Sequence, residues 1–147
     1  MKTYFIAIIM ALLTIVPANA QTRLEKAKKK ASENNELILL NFSGSDWCIP
    51  CIKLHKNLIE KEDFKQLSKD QIIEFINADF PRSEKNQPSA EIKKENVVLA
   101  DLYNPKGLFP YTILLDSAGK VLKTWEGLPS QDALAFSNEI RSFYQKK

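Results

Sequence analysis

The stretch Glu36 to Phe42, ELILLNF, constrains the fold more than any other part of the chain. A run this short and this apolar has no polar side to turn to water, so it reads as a strand covered on both faces. A sheet built on such a strand needs helices on both sides, and the rest of the chain supplies alternating elements. Thr22 to Asn34 reads as a polar helix, Gln71 to Ala78 as a second strand and Ser89 to Tyr103 as a helix. Tyr111 to Asp116 and Lys120 to Trp125 read as strands joined by the turn Ser117-Ala118-Gly119. In the last segment, Ser130 to Tyr144, Phe136, Ile140 and Phe143 recur at helical spacing, with Ser130 as the N-cap and Asp132 in the first turn. The fold class is therefore α/β, a mixed central sheet flanked by helices on both faces.

The N-terminal residues pose a different problem. Lys2 precedes the thirteen-residue apolar stretch Tyr4 to Val16, followed by Pro17 and Ala18-Asn19-Ala20. That is the charged start, apolar middle and small-residue end of a secretory signal peptide, with cleavage predicted after Ala20. A membrane anchor is the competing reading, but the stretch falls short of the roughly 20 apolar residues needed to span a bilayer. The chain then divides into a signal peptide, 1–20, and one domain, 21–147, placed outside the cytoplasm and most naturally in a periplasm. Lys2 is the only charged residue in 1–20, so the 21 basic and 18 acidic residues of the whole chain become 20 and 18, a net of +2. So even a balance argues against nucleic acid as a partner, because phosphate binding needs clustered positive charge. Lys26 with Lys28-Lys29-Lys30 reads as a solvated helix face.

The only two cysteines, Cys48 and Cys51, enclose Ile49 and Pro50 just after the first strand. Covalent haem attachment requires a histidine after the second cysteine, where Ile52 stands. Structural zinc needs four ligands, and the chain has two cysteines and one histidine. A purely structural disulfide would close too small a loop to remove much entropy from the unfolded chain. Cys48 to about Lys69 reads as one long helix, with Cys51, Leu54 and Leu58 on one face. Cys48 therefore sits at a helix N-terminus, where unpaired N–H groups and the helix dipole favour a thiolate.

Strand, then WCIPC opening a helix, then GLFPYTILLDSAGKVL downstream together resemble the thioredoxin fold, and especially its secreted thiol-disulfide oxidoreductases. The resemblance spans nearly the whole of 21–147. It implies that Cys48 is the attacking cysteine, Cys51 the resolving one and Trp47 a flanking residue. Pro110 would be the cis proline facing the pair, leaving the backbone of Phe109 to meet an extended substrate. Trp47, Phe109 and Pro110 thus form the implied substrate face. Ile49 and Pro50, with no histidine between the cysteines, favour a reductant or electron carrier, and Asp46 adds a negative charge that disfavours the thiolate. Protein disulfides or dithiols are the implied substrates, a membrane-bound protein the electron donor, and no cofactor or metal is called for. The protein is expected to act as a monomer.

Departures from the family accompany the likeness. Asn41 stands, within a one-residue gap, where thioredoxin has a buried aspartate that moves protons for the resolving cysteine. Phe109 is bulkier than the residue usual before the proline, and Asp79 to Pro110 is longer than its counterpart. Phe80 to Pro88, FPRSEKNQP, reads as a solvated surface loop. His55, four residues after Cys51, borders the apolar stripe and reads first as a packed or half-exposed helix residue, with proton exchange or metal binding as the alternative. Two other functions stay open: a binding module or holdase using Trp47, Phe109 and Tyr111, and a metal carrier using Cys48, Cys51 and His55.

Overall fold

The apolar run becomes one of the two inner strands of a four-stranded sheet. In the computed structural model, which describes residues 21–145, β1 (Leu37–Ser43) is buried at every position. It pairs in parallel with β2 (Ile73–Asp79) and antiparallel with β3 (Tyr111–Leu115), and β4 (Val121–Glu126) joins the far side of β3. The order is β2-β1-β3-β4. Among the described residues, five α-helices cover the sheet: α1 (Arg23–Asn34), α2 (Ile49–Leu54), α3 (Glu62–Lys69), α4 (Ala90–Tyr103) and α5 (Ala133–Tyr144). This is the α/β thioredoxin fold that the resemblance implies. The segment read as a signal peptide, 1–20, lies outside the described residues.

Alternation along β1 explains why an unbroken apolar run was needed. Leu37 and Leu39 face one way, into a cluster with Leu54, Leu58, Phe64, Leu67, Phe136 and Ile140 from the side of α2, α3 and α5. Ile38, Leu40 and Phe42 face the other way, into a cluster with Ala27, Ala31 and Leu99 from α1 and α4. Fully burying each such side chain contributes about 1.5–3 kcal/mol, so the strand anchors both layers at once. Thr22 and Glu25 form a reciprocal cap at the start of α1. Arg23 then ties α1 to α4 and the sheet, with its Nε 2.7 Å from Glu95 and its other nitrogens on Asn96 and the Asn77 carbonyl.

The single helix predicted from Cys48 to about Lys69 is not present. α2 runs into a π turn, His55–Ile59, and a break at Glu60 and Lys61 precedes α3. Packing gives the reason. At about 100° per residue, an unbroken helix would put Phe64 and Leu67 about 240° and 180° round from Leu58, yet all three are buried in the same cluster. The wider turn and the break reset the phase. The last helix is capped by Asp132 rather than Ser130, its carboxylate accepting from the Ala135 amide at 2.8 Å. β1, β2 and β4 are shifted by one or two residues from their predicted bounds, and β3 stops at Leu115.

Candidate active site

Everything distinctive in the sequence converges where β1 leaves the sheet. After Ser43 the chain turns at Gly44, whose carbonyl accepts from the amides of Trp47 and Cys48 at 3.3 and 2.9 Å. A Cβ on Gly44 would fall inside the Trp47 indole, so only glycine lets the ring lie back over the turn. Cys48 is the N-cap of α2, and its sulfur accepts the Cys51 amide at 3.3 Å. Pro50 occupies the first turn, where the N–H it lacks has no helical partner to lose. The two cysteines are joined as a disulfide with their Cα atoms 5.2 Å apart. Both are buried, Cys48 at 5% exposure and Cys51 at 2%, whereas Ile49 between them is 65% exposed.

Trp47, next to Cys48 in the chain, belongs to an aromatic cluster. The Phe109–Pro110 bond is cis and Pro110 is buried. Phe109 meets Trp47 edge-on at 5.5 Å between ring centres and Phe80 at 5.6 Å. The Trp47 indole donates to the Phe80 carbonyl at 2.8 Å, and the Arg82 guanidinium lies 4.1 Å from the indole centre. Trp47, Phe109 and Pro110 are therefore brought together, joined by Phe80 and Arg82. Tyr111 belongs instead to the sheet face, its ring 6.3 Å from Phe42.

Phe80 to Pro88 is a surface loop as predicted, with Arg82 and Glu84–Asn86 exposed, but it is tied down at its middle. Asp46 accepts hydrogen bonds from the Arg82 amide at 2.8 Å, the Ser83 amide at 2.8 Å and the Asn86 side chain at 3.0 Å. These bonds, the Arg82 amide foremost, hold the Asp46 carboxyl below its ordinary range. The carboxylate therefore stays ionised, and its oxygens are occupied by donors on the loop. A short 3-10 turn at Glu84–Asn86 and buried Pro81 complete the loop.

Asn41, two residues before the end of β1, is 2% exposed. Its amide donates to Asn77 Oδ1 at 2.8 Å, and it accepts the Thr112 hydroxyl at 2.9 Å. None of the three titrates. On the open side of α2, a cleft of about 320 Å³ is lined by Cys51, His55, Lys56 and Glu60, with Ser43, Ser45 and Asn77 across it. His55 Nδ1 lies 3.1 Å from Glu60 Oε1, and both side chains are about half exposed. Among the described residues, no three histidine, cysteine, aspartate or glutamate side chains are gathered to hold a metal ion.

Sequence reasoning missed Phe80, Arg82, Asn77, Thr112 and Glu60. Only Asn77 left a trace: it stands midway along an apolar strand as Asn41 does, and the parallel register sets the two side by side.

The sequence profile of the thioredoxin-like domain matches residues 24–137. The chain is 30% identical over 129 residues to the disulfide bond reductase DsbH of Chlamydia pneumoniae, covering 87% of this chain and 75% of that protein. A solved DsbH oxidoreductase structure superposes with a TM-score of 0.73 at 26% identity, covering 86% of this chain and 84% of the other. A poplar thioredoxin h shares the fold, with a TM-score of 0.55 at 15% identity over 84% and 90% of the two chains.

Proposed function

This chain belongs to the thioredoxin-like family and is a thiol-disulfide oxidoreductase, and from that premise we propose that it reduces protein disulfides outside the cytoplasm. In this reading Cys48 is the nucleophile. The observation that carries it is the position of its sulfur at the N-cap of α2, accepting the Cys51 amide. An N–H directed at sulfur stabilises a thiolate, which is the reactive form.

The reduced enzyme attacks a substrate disulfide with the Cys48 thiolate. One substrate sulfur leaves as a thiolate and the other stays bound to Cys48 as a mixed disulfide. Cys51 then attacks Cys48, the second substrate sulfur leaves, and the enzyme ends with the Cys48–Cys51 bond seen in the structure. Two electrons pass from enzyme to substrate. Trp47, Phe109 and exposed Ile49 offer an apolar face to an extended segment, and the backbone before Pro110 can pair with it.

The reducing direction is supported by the absence of histidine between the cysteines and by the disulfide bond reductase among the relatives. The signal-like segment 1–20 supports export, and in an oxidising compartment a reductase needs electrons from a membrane-bound donor. Equilibration of residues 21–147 with thiol redox buffers tests the direction. A potential near the roughly −270 mV of thioredoxin is expected, and a value near about −120 mV would mark an oxidant. Cys48→Ser is expected to abolish disulfide reduction, while a holdase activity would survive it.

A further inference from the structure

The second step of the reaction needs a base that the buried strand does not provide. Cys51 must lose its proton to attack, yet it is 2% exposed, so bulk water has little direct access to take it. The polar side chains in register across the sheet, Asn77, Asn41 and Thr112, bond one another and cannot titrate. Beside Cys51 the situation differs, because the cleft that reaches it is lined by a histidine held by a carboxylate.

We propose that His55, positioned by Glu60 across the π turn, takes the proton from Cys51 through the cleft during resolution of the mixed disulfide. This rests on the assignment of Cys51 as the resolving cysteine. His55 follows Cys51 by one turn and its amide donates to the Cys51 carbonyl. Side chains on a helix lean towards its N-terminus, so His55 lies on the side of Cys51. The tautomer that donates from Nδ1 to Glu60 leaves Nε2 with the lone pair of a base. The cleft, about 320 Å³ and lined by two serines and Asn77, has room and partners for a relaying water.

The charged groups around His55 are Glu60 and Lys56 in the cleft and Asp79, which bonds Ser45 on the opposite wall, with Lys53 two residues back in the last turn of α2. On the buried side the turn meets α5 through Leu58, Phe136 and Ile140. The step balances as follows. The Cys51 proton passes to His55, the Cys51 sulfur bonds to Cys48, and the Cys48–substrate bond breaks. The leaving substrate thiolate takes a proton from solvent or from the imidazolium.

The reduced protein mixed with excess 5,5′-dithiobis(2-nitrobenzoate) releases two coloured thiolates in sequence, the first on attack by Cys48 and the second on resolution by Cys51. Stopped-flow traces from pH 5.5 to 9.5 read both. For His55→Gln the second release is expected to slow about tenfold or more near pH 6.5, with the first unchanged and the difference vanishing above about pH 9. The histidine inflection in the second rate should disappear, and His55→Glu should restore the step with its inflection moved to lower pH. Glu60→Gln should shift that inflection without removing it. An unchanged second release in His55→Gln, or equal slowing of both, overturns the assignment. A wild-type protein with no second release would instead overturn the two-cysteine reading itself.

Discussion

Replacing Asn41 by aspartate would place a carboxyl group in a pocket built for an amide. Asn41 is 2% exposed, donates to Asn77 Oδ1 at 2.8 Å and accepts from Thr112 at 2.9 Å. A carboxylate keeps the Thr112 bond, loses the donor and turns a charged oxygen towards the Asn77 carbonyl oxygen. An uncompensated buried charge costs about 3–5 kcal/mol, and a flip of the Asn77 amide recovers about 1 kcal/mol of that. The net expectation for Asn41→Asp is a loss of about 3 kcal/mol at pH 8. In acid the carboxyl is protonated and donates again to Asn77, so most of the loss vanishes. The sign is that of a carboxyl which binds its proton more tightly in the folded state than in the unfolded one. Its cost is complete above the folded-state titration and disappears as pH falls through it towards the unfolded value. Urea unfolding of the oxidised protein and the variant at pH 4.5 and 8 measures both ends. A stability difference equal at the two pH values would refute the reasoning, because it would mean that the new carboxylate is solvated and the pocket is not sealed.

Other substitutions probe other parts of the fold. Glu36 is fully buried, and burial holds its carboxyl above the ordinary range, with the neighbouring Glu74 adding to this and the Asn34 hydrogen bond opposing it. Glu36→Gln should therefore stabilise the protein at pH 7 to 8 and lose that advantage below about pH 4, as thermal melts across pH would record. Gly44→Ala forces a methyl group into the Trp47 indole and should cost about 1–3 kcal/mol with a red shift in tryptophan emission. Phe136→Ala, in the core against Trp125 at 5.0 Å and Phe64 at 6.4 Å, should cost about 3–5 kcal/mol in denaturant unfolding. Asp46→Ala should leave the core intact but speed hydrogen exchange at the Arg82 and Ser83 amides, which lose their acceptor.

The sheet was legible because its signals are local. Leu37 to Phe42 is apolar at five of six positions, and only a strand covered on both faces accommodates that. Cys48, Cys51, Trp47, Phe109 and Pro110 were legible as a group because a motif ties them together. What escaped was set at a distance. The order of Phe80 to Pro88 depends on Asp46, 36 to 40 residues earlier, and polar residues held by a remote carboxylate look the same in sequence as polar residues in water. The split of the long helix escaped for a related reason. Each half has a good helical pattern, and the conflict appears only when both must present Leu58, Phe64 and Leu67 to one core. At the last helix, Ser130 and Asp132 are both acceptable caps, and the fold decided between them.

The π turn at His55–Ile59 also makes the protein divisible in a way an unbroken helix would not permit. Ahead of it, the backbone is oriented by the end of β1 and serves the cysteines; beyond it, the backbone is oriented by α5 and serves the core. Deleting one residue inside the turn would rotate the cysteines by about 100° against everything that follows. Conversely, residues 48–53 could be exchanged for another dithiol sequence, with Leu54 and Leu58 retained, without retuning α3. The turn is a natural splice point, with interchangeable chemistry on one side and a fixed foundation on the other.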